Sequence, residues 1–150
     1  MRDRMAPTVR RLLETTLTAR VATTMPDGAP HAAPFWIAFD GERLYLDTLE
    51  NQTVRNLRRD ARVAVLVDVG EAFAELEGAV VAGRAVVYEE GSEPARVRDG
   101  LERIRAAHAE EIASPEFAAY AAAERRPLAF VEIVPERIRY WNLTRGAGAG

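Results

Sequence analysis

The chain has 150 residues and a formal charge of −3, with 48% hydrophobic and 29% charged residues. This is one domain's length with ample apolar content, which excludes a disordered chain, and no apolar run approaches the roughly 20 residues of a membrane span. There is no cysteine and all 20 basic residues are arginine, which rules out disulfides, thiolate nucleophiles, sulfur-ligated metals, Schiff-base chemistry and a lysine base.

The start, Met-Arg-Asp-Arg-Met-Ala-Pro, has no apolar signal region, so a cytoplasmic protein is expected. Residues 6–19 carry Val9, Leu12, Leu13 and Leu17 at i, i+3, i+4 and i+8 behind Pro7, which predicts a helix. Residues 20–25, 30–39 and 43–48 read as three strands, turned at Pro26-Asp27-Gly28 and Asp40-Gly41. In the third, Leu44, Leu46 and Thr48 alternate with Arg43, Tyr45 and Asp47, so burial is expected on the Leu44 and Leu46 side. A helix is predicted over 51–60, capped by Asn51, with Val54 and Leu57 inward. Residues 63–67 read as a strand buried on both faces. Residues 79–88 form the fifth strand, where Gly83 suggests a bulge or a close approach.

Residues 94–112 set Val97, Leu101, Ile104 and His108 on one helical stripe, and Ser114-Pro115-Glu116 opens a short helix through residue 123. Residues 127–134 and 137–141 close the chain as two strands around Pro135, within a domain of residues 1–145, and 146–150 form a tail with nothing to bury. Six or seven short strands with a hairpin-rich front half do not fit a doubly wound order. They predict a mainly β, α+β protein, an antiparallel barrel with covering helices.

The most distinctive segment lies at 48–62. Arg55, Arg58 and Arg59 at i, i+3 and i+4 share a helix face, with Arg62 just beyond. On the N-terminal side, Thr48, Asn51, Gln52 and Thr53 set hydroxyls and amides beside free backbone N–H groups, the ingredients of a phosphate site. A solvated arginine face behind an ordinary cap accounts for the same residues without a ligand. Nucleic acid is not expected as a partner, because Glu71, Glu75, Glu77, Glu89, Glu90 and Glu93 oppose it and no binding module is recognisable. His31 is either a ring or substrate contact or an ordinary strand-edge residue. His108 completes an apolar stripe and Trp141 alternates with Tyr140, so both read as packing residues. Glu89-Glu90 and Glu110-Glu111 are adjacent and point apart, which argues against an acid/base pair. No metal site is expected and no catalytic side chain is assigned. If the protein is an enzyme, a cofactor carries the chemistry.

Taken in order, residues 19–24 (Ala-Arg-Val-Ala-Thr-Thr), 27–31 (Asp-Gly-Ala-Pro-His), Pro34-Phe35-Trp36, 40–45 (Asp-Gly-Glu-Arg-Leu-Tyr) and 54–60 (Val-Arg-Asn-Leu-Arg-Arg-Asp) resemble the pyridoxamine 5′-phosphate oxidase-like family of FMN-binding split β-barrels. More narrowly they are similar to its flavin/deazaflavin oxidoreductases. Residues 77–85 and 135–141 resemble the family's later strands, so the likeness spans nearly the whole chain. It implies a split-barrel homodimer with a cofactor, FMN or the deazaflavin F420, in each groove between barrels. The phosphate would sit at the start of the helix after the third strand. A hydride would pass to or from a small organic substrate.

Carried over residue by residue, Thr48, Asn51, Gln52, Thr53 and Asn56 surround the phosphate or ribityl chain, and Arg55 supplies charge. His31, Pro34 and Trp36 approach the ring, while Leu76, Glu77 and Gly78 come from the opposing subunit. Many members have a lysine or arginine where Gln52 or Thr53 stands here. The arginine face suits the acidic tail of F420, whereas FMN needs fewer cations. A non-catalytic cofactor or haem carrier, or an unliganded regulatory dimer, is the alternative.

Overall fold

In the computed structural model of the chain, which describes residues 5–143, helix α1 (Pro7–Thr15) begins on a proline, whose missing N–H costs nothing in a first turn. Six antiparallel strands follow: β1 (Thr18–Thr24), β2 (Pro30–Phe39), β3 (Leu44–Leu49), β4 (Arg62–Val69), β5 (Glu77–Glu89) and β6 (Leu128–Asn142). They close a barrel in the order β1-β2-β3-β6-β5-β4. Gly28 and Gly41, at φ 88° and 99°, make the first two hairpin turns in a conformation that side chains with a Cβ rarely adopt. Helix α2 (Gln52–Arg59) joins β3 to β4. Helices α3 (Ala95–Ala107), α4 (Ala109–Ile112) and α5 (Pro115–Ala123) join β5 to β6.

The register sets the core. Val21, Val65 and Val81 pair in one inward row, and Leu44 and Leu46 pair with Ile133 and Val131 in another. Leu12 and Leu13 of α1 and Val54 and Leu57 of α2 join the same cluster. A second, smaller core lies outside the barrel, where Val97, Leu101 and Ile104 of α3 pack on Ala38, Tyr45 and Phe130.

That second core corrects one expectation. Tyr45 is as buried as Leu44 and Leu46, because α3 covers the outer face of β3. The helix approaches so closely at Gly100 that a Cβ there would stand 2.5 Å from Tyr45 Cδ2. The Tyr45 hydroxyl donates to Asp40 Oδ2 at 2.6 Å, and burial together with that carboxylate drives the phenol's pKa upward. Beside it Glu132, 1% exposed, accepts from Arg43 Nη1 at 2.9 Å and from Arg96 Nε at 2.5 Å and Nη2 at 3.1 Å. Burial alone would raise this carboxyl. Hydrogen bonds from Arg96 and Arg43 outweigh it and hold Glu132 below the usual carboxylate range.

The end of the chain is one strand rather than two. Pro135 lacks a donor, and a register shift between Ala82 and Gly83 passes it without ending the ladder. A Cβ at Gly83 would lie 3.1 Å from Pro135 Cα, so the close approach expected there is to a backbone. The long helix breaks at His108, the C-cap of α3. Strand β4 is not buried on both faces. Val63, Val65 and Val67 point inward, whereas Ala64 and Leu66 on the outer face are only half-buried.

The barrel's outer surface therefore divides in two. One part lies under α3. Across the other, Ala32, Ala22, Ala64 and Ala82 form a row of directly paired residues on β2, β1, β4 and β5, flanked by a row of Pro34, Arg20, Leu66 and Val80. Among the described residues no helix is long and apolar enough to cross a membrane. The expected tail at 146–150, and the domain end at 145, lie outside the described residues.

Candidate functional site

The strand register opens a seam. β2 pairs with β3 only from Ile37 to Phe39, against Leu44 to Leu46. Residues 30–36 pair with β1 alone, and Asp47, Thr48 and Leu49 pair with β6 alone. The edge of β2 facing the seam carries backbone groups that no strand satisfies. Helix α2 starts directly after β3, so its entrance lies at the end of this seam.

Asn51 caps α2 as expected. Its Oδ1 accepts from the Val54 N–H at 3.0 Å, and its Nδ2 donates to Thr48 Oγ1 at 3.0 Å. The cap satisfies one first-turn donor, and the N–H groups of Gln52 and Thr53 have no acceptor within the helix. They present the positive end of the helix dipole. The Thr53 side chain is buried, and Asn56 is wholly buried. Asn56 Nδ2 donates to Thr23 Oγ1 at 3.0 Å and Oδ1 accepts from Gln52 Nε2 at 2.8 Å. Asn56 is thus spent inside the protein and does not project into the entrance.

The arginine face is smaller than its spacing suggested. Arg58 is paired with Glu50 at 2.8 Å and Arg62 with Asp60 at 2.7 Å. The hydrogen bonds from the Arg62 side chain and backbone bring Asp60 down to about 2. Arg59 donates to the Thr24 carbonyl and to Asn56 Oδ1. Arg55 is exposed, donates to Gln52 Oε1 at 3.0 Å, and has no carboxylate partner among the described residues.

The three residues of β2 do not share a surface. His31 pairs with Thr23, whose hydroxyl meets Asn56, so it stands on the α2 side; its Nδ1 is buried without a partner. Pro34 and Trp36 lie on the opposite face by strand alternation. Trp36 stacks on His108 with ring centroids 3.8 Å apart and planes within 7°, and Phe117 follows at 6.1 Å. His108 is a packing residue, as expected, but its partner is a proposed site residue; its Nδ1 lies 2.7 Å from Glu111 Oε2. Trp36 ends the stretch of β2 that does not pair with β3, so these stacked rings stand at the closed end of the seam. Trp36 is named by the resemblance and His108 by its helical stripe, whereas no sequence signal marks Phe117.

Glu77, at the start of β5, accepts from the Tyr140 hydroxyl at 2.8 Å and lies 3.7 Å from Arg11. Gly78 is covered by Trp141, whose Cε2 would be 2.8 Å from a Cβ. Leu76 is half-buried, and Phe73 in the preceding turn is 75% exposed. An open depression of about 510 Å³ is lined by Glu50, Glu89, Glu90 and Arg58, the wrong charge balance for an anionic tail. No group of His, Asp or Glu able to hold a metal occurs among the described residues.

Among curated proteins no sequence match was found. Solved structures match well. The conserved hypothetical protein Rv2991 of Mycobacterium tuberculosis is 27% identical, with a TM-score of 0.71 over 97% of this chain and 91% of that one. An F420 reductase is 20% identical, with a TM-score of 0.64 over 90% and 98% of the two chains. HutZ of Vibrio cholerae, a haem storage protein, is 13% identical, with a TM-score of 0.70 over 94% and 99%. The family profile described as pyridoxamine 5′-phosphate oxidase matches residues 5–142, the span that forms the barrel, its helices and the seam between β2 and β3. A six-stranded barrel opened at that seam, matched along its length by that profile, makes this chain a member of the pyridoxamine 5′-phosphate oxidase family.

Proposed function

We propose that the protein is a flavin-dependent oxidoreductase that passes a hydride to or from a small organic molecule and works as a homodimer. The observation that carries this reading is the seam, an unpaired strand edge beside a helix entrance with free N–H groups and an uncompensated guanidinium. A flat polar ring with a phosphate tail suits both parts. Backbone groups of residues 30–36 would meet the ring's polar edge, and a ring lying along a strand edge can touch side chains from either face. The N–H groups of Gln52 and Thr53, with Thr48, Asn51 and Arg55, would hold the phosphate. His31 Nδ1 fits the same reading, since a buried polar atom without a partner costs about 1–3 kcal/mol until something fills it. The bound ring supplies the two-electron chemistry that a chain without cysteine or lysine lacks. The chain's own part is to orient the ring and keep water from it, with Trp36, His108 and Phe117 as one wall.

Charge favours FMN over F420. Arg58 is neutralised by Glu50, and Arg59, the last residue of α2, donates to the Thr24 carbonyl, which leaves Arg55 as the cation nearest the helix entrance and matches a single phosphate better than an oligoglutamate tail. The uncovered sheet face supports the dimer. A row of alanines lets a second sheet approach closely, and Leu66, Val80 and Pro34 add apolar surface around Arg20, whose guanidinium lies 3.6 Å from Asp68. From the second copy, Leu76 is available to complete the groove, whereas Glu77 and Gly78 are held by Tyr140 and Trp141 and contribute backbone.

Titration with FMN and F420 tests the reading. Saturable binding near one ligand per chain is expected, tighter for FMN, and Arg55→Ala should weaken FMN roughly 10- to 100-fold at low salt, the worth of one charge-assisted contact. A Soret band with haem and no binding of either flavin would replace the oxidoreductase with a carrier.

A further inference from the structure

Arg55 is a long, exposed side chain, and a free guanidinium at a helix start samples many rotamers before it meets an anion. Here it is tied back to the barrel through two amides. Arg55 Nη2 donates to Gln52 Oε1 at 3.0 Å, Gln52 Nε2 donates to Asn56 Oδ1 at 2.8 Å, and Asn56 Nδ2 donates to Thr23 Oγ1 at 3.0 Å and approaches Met25 Sδ at 3.4 Å.

The direction of this chain of bonds is forced. A guanidinium only donates, so the Gln52 atom facing Arg55 is the oxygen and the Gln52 atom facing Asn56 is the nitrogen. Asn56 must then turn its oxygen toward Gln52, which also receives Arg59 Nη1 at 3.4 Å. Its nitrogen is left for Thr23 and Met25. Every amide orientation from the buried wall to the exposed cation is therefore determined, and the hub, Asn56, is 0% exposed. The sequence reading placed both Gln52 and Asn56 around the phosphate. The bonds give them another task.

We propose that Gln52 and Asn56 are positioning residues, a relay anchored on Thr23 that holds the Arg55 guanidinium in place for the cofactor's phosphate. This rests on the phosphate site of the preceding section. Holding one rotamer-rich side chain in advance is worth roughly three- to tenfold in affinity.

The test compares FMN with riboflavin, which has the same ring and no phosphate, on wild type, Gln52→Met, Arg55→Ala and the double variant. Gln52→Met keeps the length and apolar stem of the side chain and removes both bonds. It should weaken FMN three- to tenfold, leave riboflavin within twofold, and add nothing in the Arg55→Ala background. NMR of the Arg55 guanidinium in protein without cofactor reads the relay itself: restricted rotation in wild type, free rotation in Gln52→Met. Equal losses for FMN and riboflavin, or a full Gln52→Met loss when Arg55 is already alanine, would overturn the relay by showing that Gln52 acts on the ligand directly. Unrestricted Arg55 in wild type would overturn it without any ligand. Unchanged FMN affinity in Arg55→Ala would instead remove the phosphate site, and the relay's purpose with it.

Discussion

Replacing Gly100 by alanine should destabilise the protein, although the same change in an exposed helix stabilises it by about 1 kcal/mol. A Cβ at Gly100 would lie 2.5 Å from Tyr45 Cδ2 and 2.9 Å from Cδ1, against roughly 3.5–4.0 Å for an ordinary carbon contact. Something must move by about 1 Å. The ring cannot swing aside, because Tyr45 is fully buried and its hydroxyl is fixed to Asp40. The displacement falls on α3, and it also loosens Val97, Leu101 and Ile104 and the bonds from Arg96 to Glu132 and from Arg105 to Asp47. Overpacking of this kind costs typically 1–3 kcal/mol and here sits at or above the upper end, about 4. Less the propensity gain, the net loss is about 3 kcal/mol, or roughly 6–12 °C in Tm for a domain of this size. Urea and thermal denaturation measure it directly. In a Tyr45→Ala background, with the ring gone, the cost should vanish or change sign. A Gly100→Ala protein as stable as wild type, or more so, would refute the packing described for α3 on β3.

Glu132→Gln should cost about 3 kcal/mol at pH 7 by leaving Arg43 and Arg96 beside a buried neutral amide. Because the folded carboxyl titrates below the unfolded value near 4.5, its contribution is complete above that pH and disappears as pH falls through the lowered pKa. The gap between the urea midpoints of wild type and Glu132→Gln should therefore begin to narrow as pH falls below about 4.5, and a gap that persists undiminished in acid would contradict the assignment. Ala64→Arg places a charge at the middle of the alanine row, where the single chain has room for it. Analytical ultracentrifugation should give twice the chain mass for wild type and a folded monomer with lost flavin affinity for the variant. A dimer that survives the substitution would put the interface elsewhere.

How much of this was legible in the sequence differs by element. Strand β2 and helix α5 fall where their turn residues and Ser114-Pro115 placed them, and Asn51 caps α2 because a short side chain before a helix has few other uses. Periodicity failed where burial came from a distant element. Tyr45 reads as the outer face of a half-buried strand, and only α3, more than 50 residues later, buries it. The two closing strands became one because a bulge opposite Gly83 absorbs Pro135, which local propensity cannot reveal. At the site, spacing brought Arg55, Arg58 and Arg59 to one helix but could not show that Glu50 neutralises Arg58 or that Asn56 turns inward to Thr23. Likewise, the family resemblance brings His31 and Trp36 to one ring, whereas strand alternation sets them on opposite faces of β2.

The seam and the divided outer surface tie these observations together. One face of the barrel is covered by α3 and the other is left to small residues, while the register that stops β2 from meeting β3 leaves polar backbone beside a helix start. The most direct measurement is a crystal structure of the protein with FMN. The account predicts the phosphate at the entrance of α2, accepting from the N–H groups of Gln52 and Thr53 and from Arg55, with the ring along residues 30–36 of β2. A phosphate bound elsewhere, or an α2 entrance sealed by the protein's own side chains or by the second copy, would contradict it.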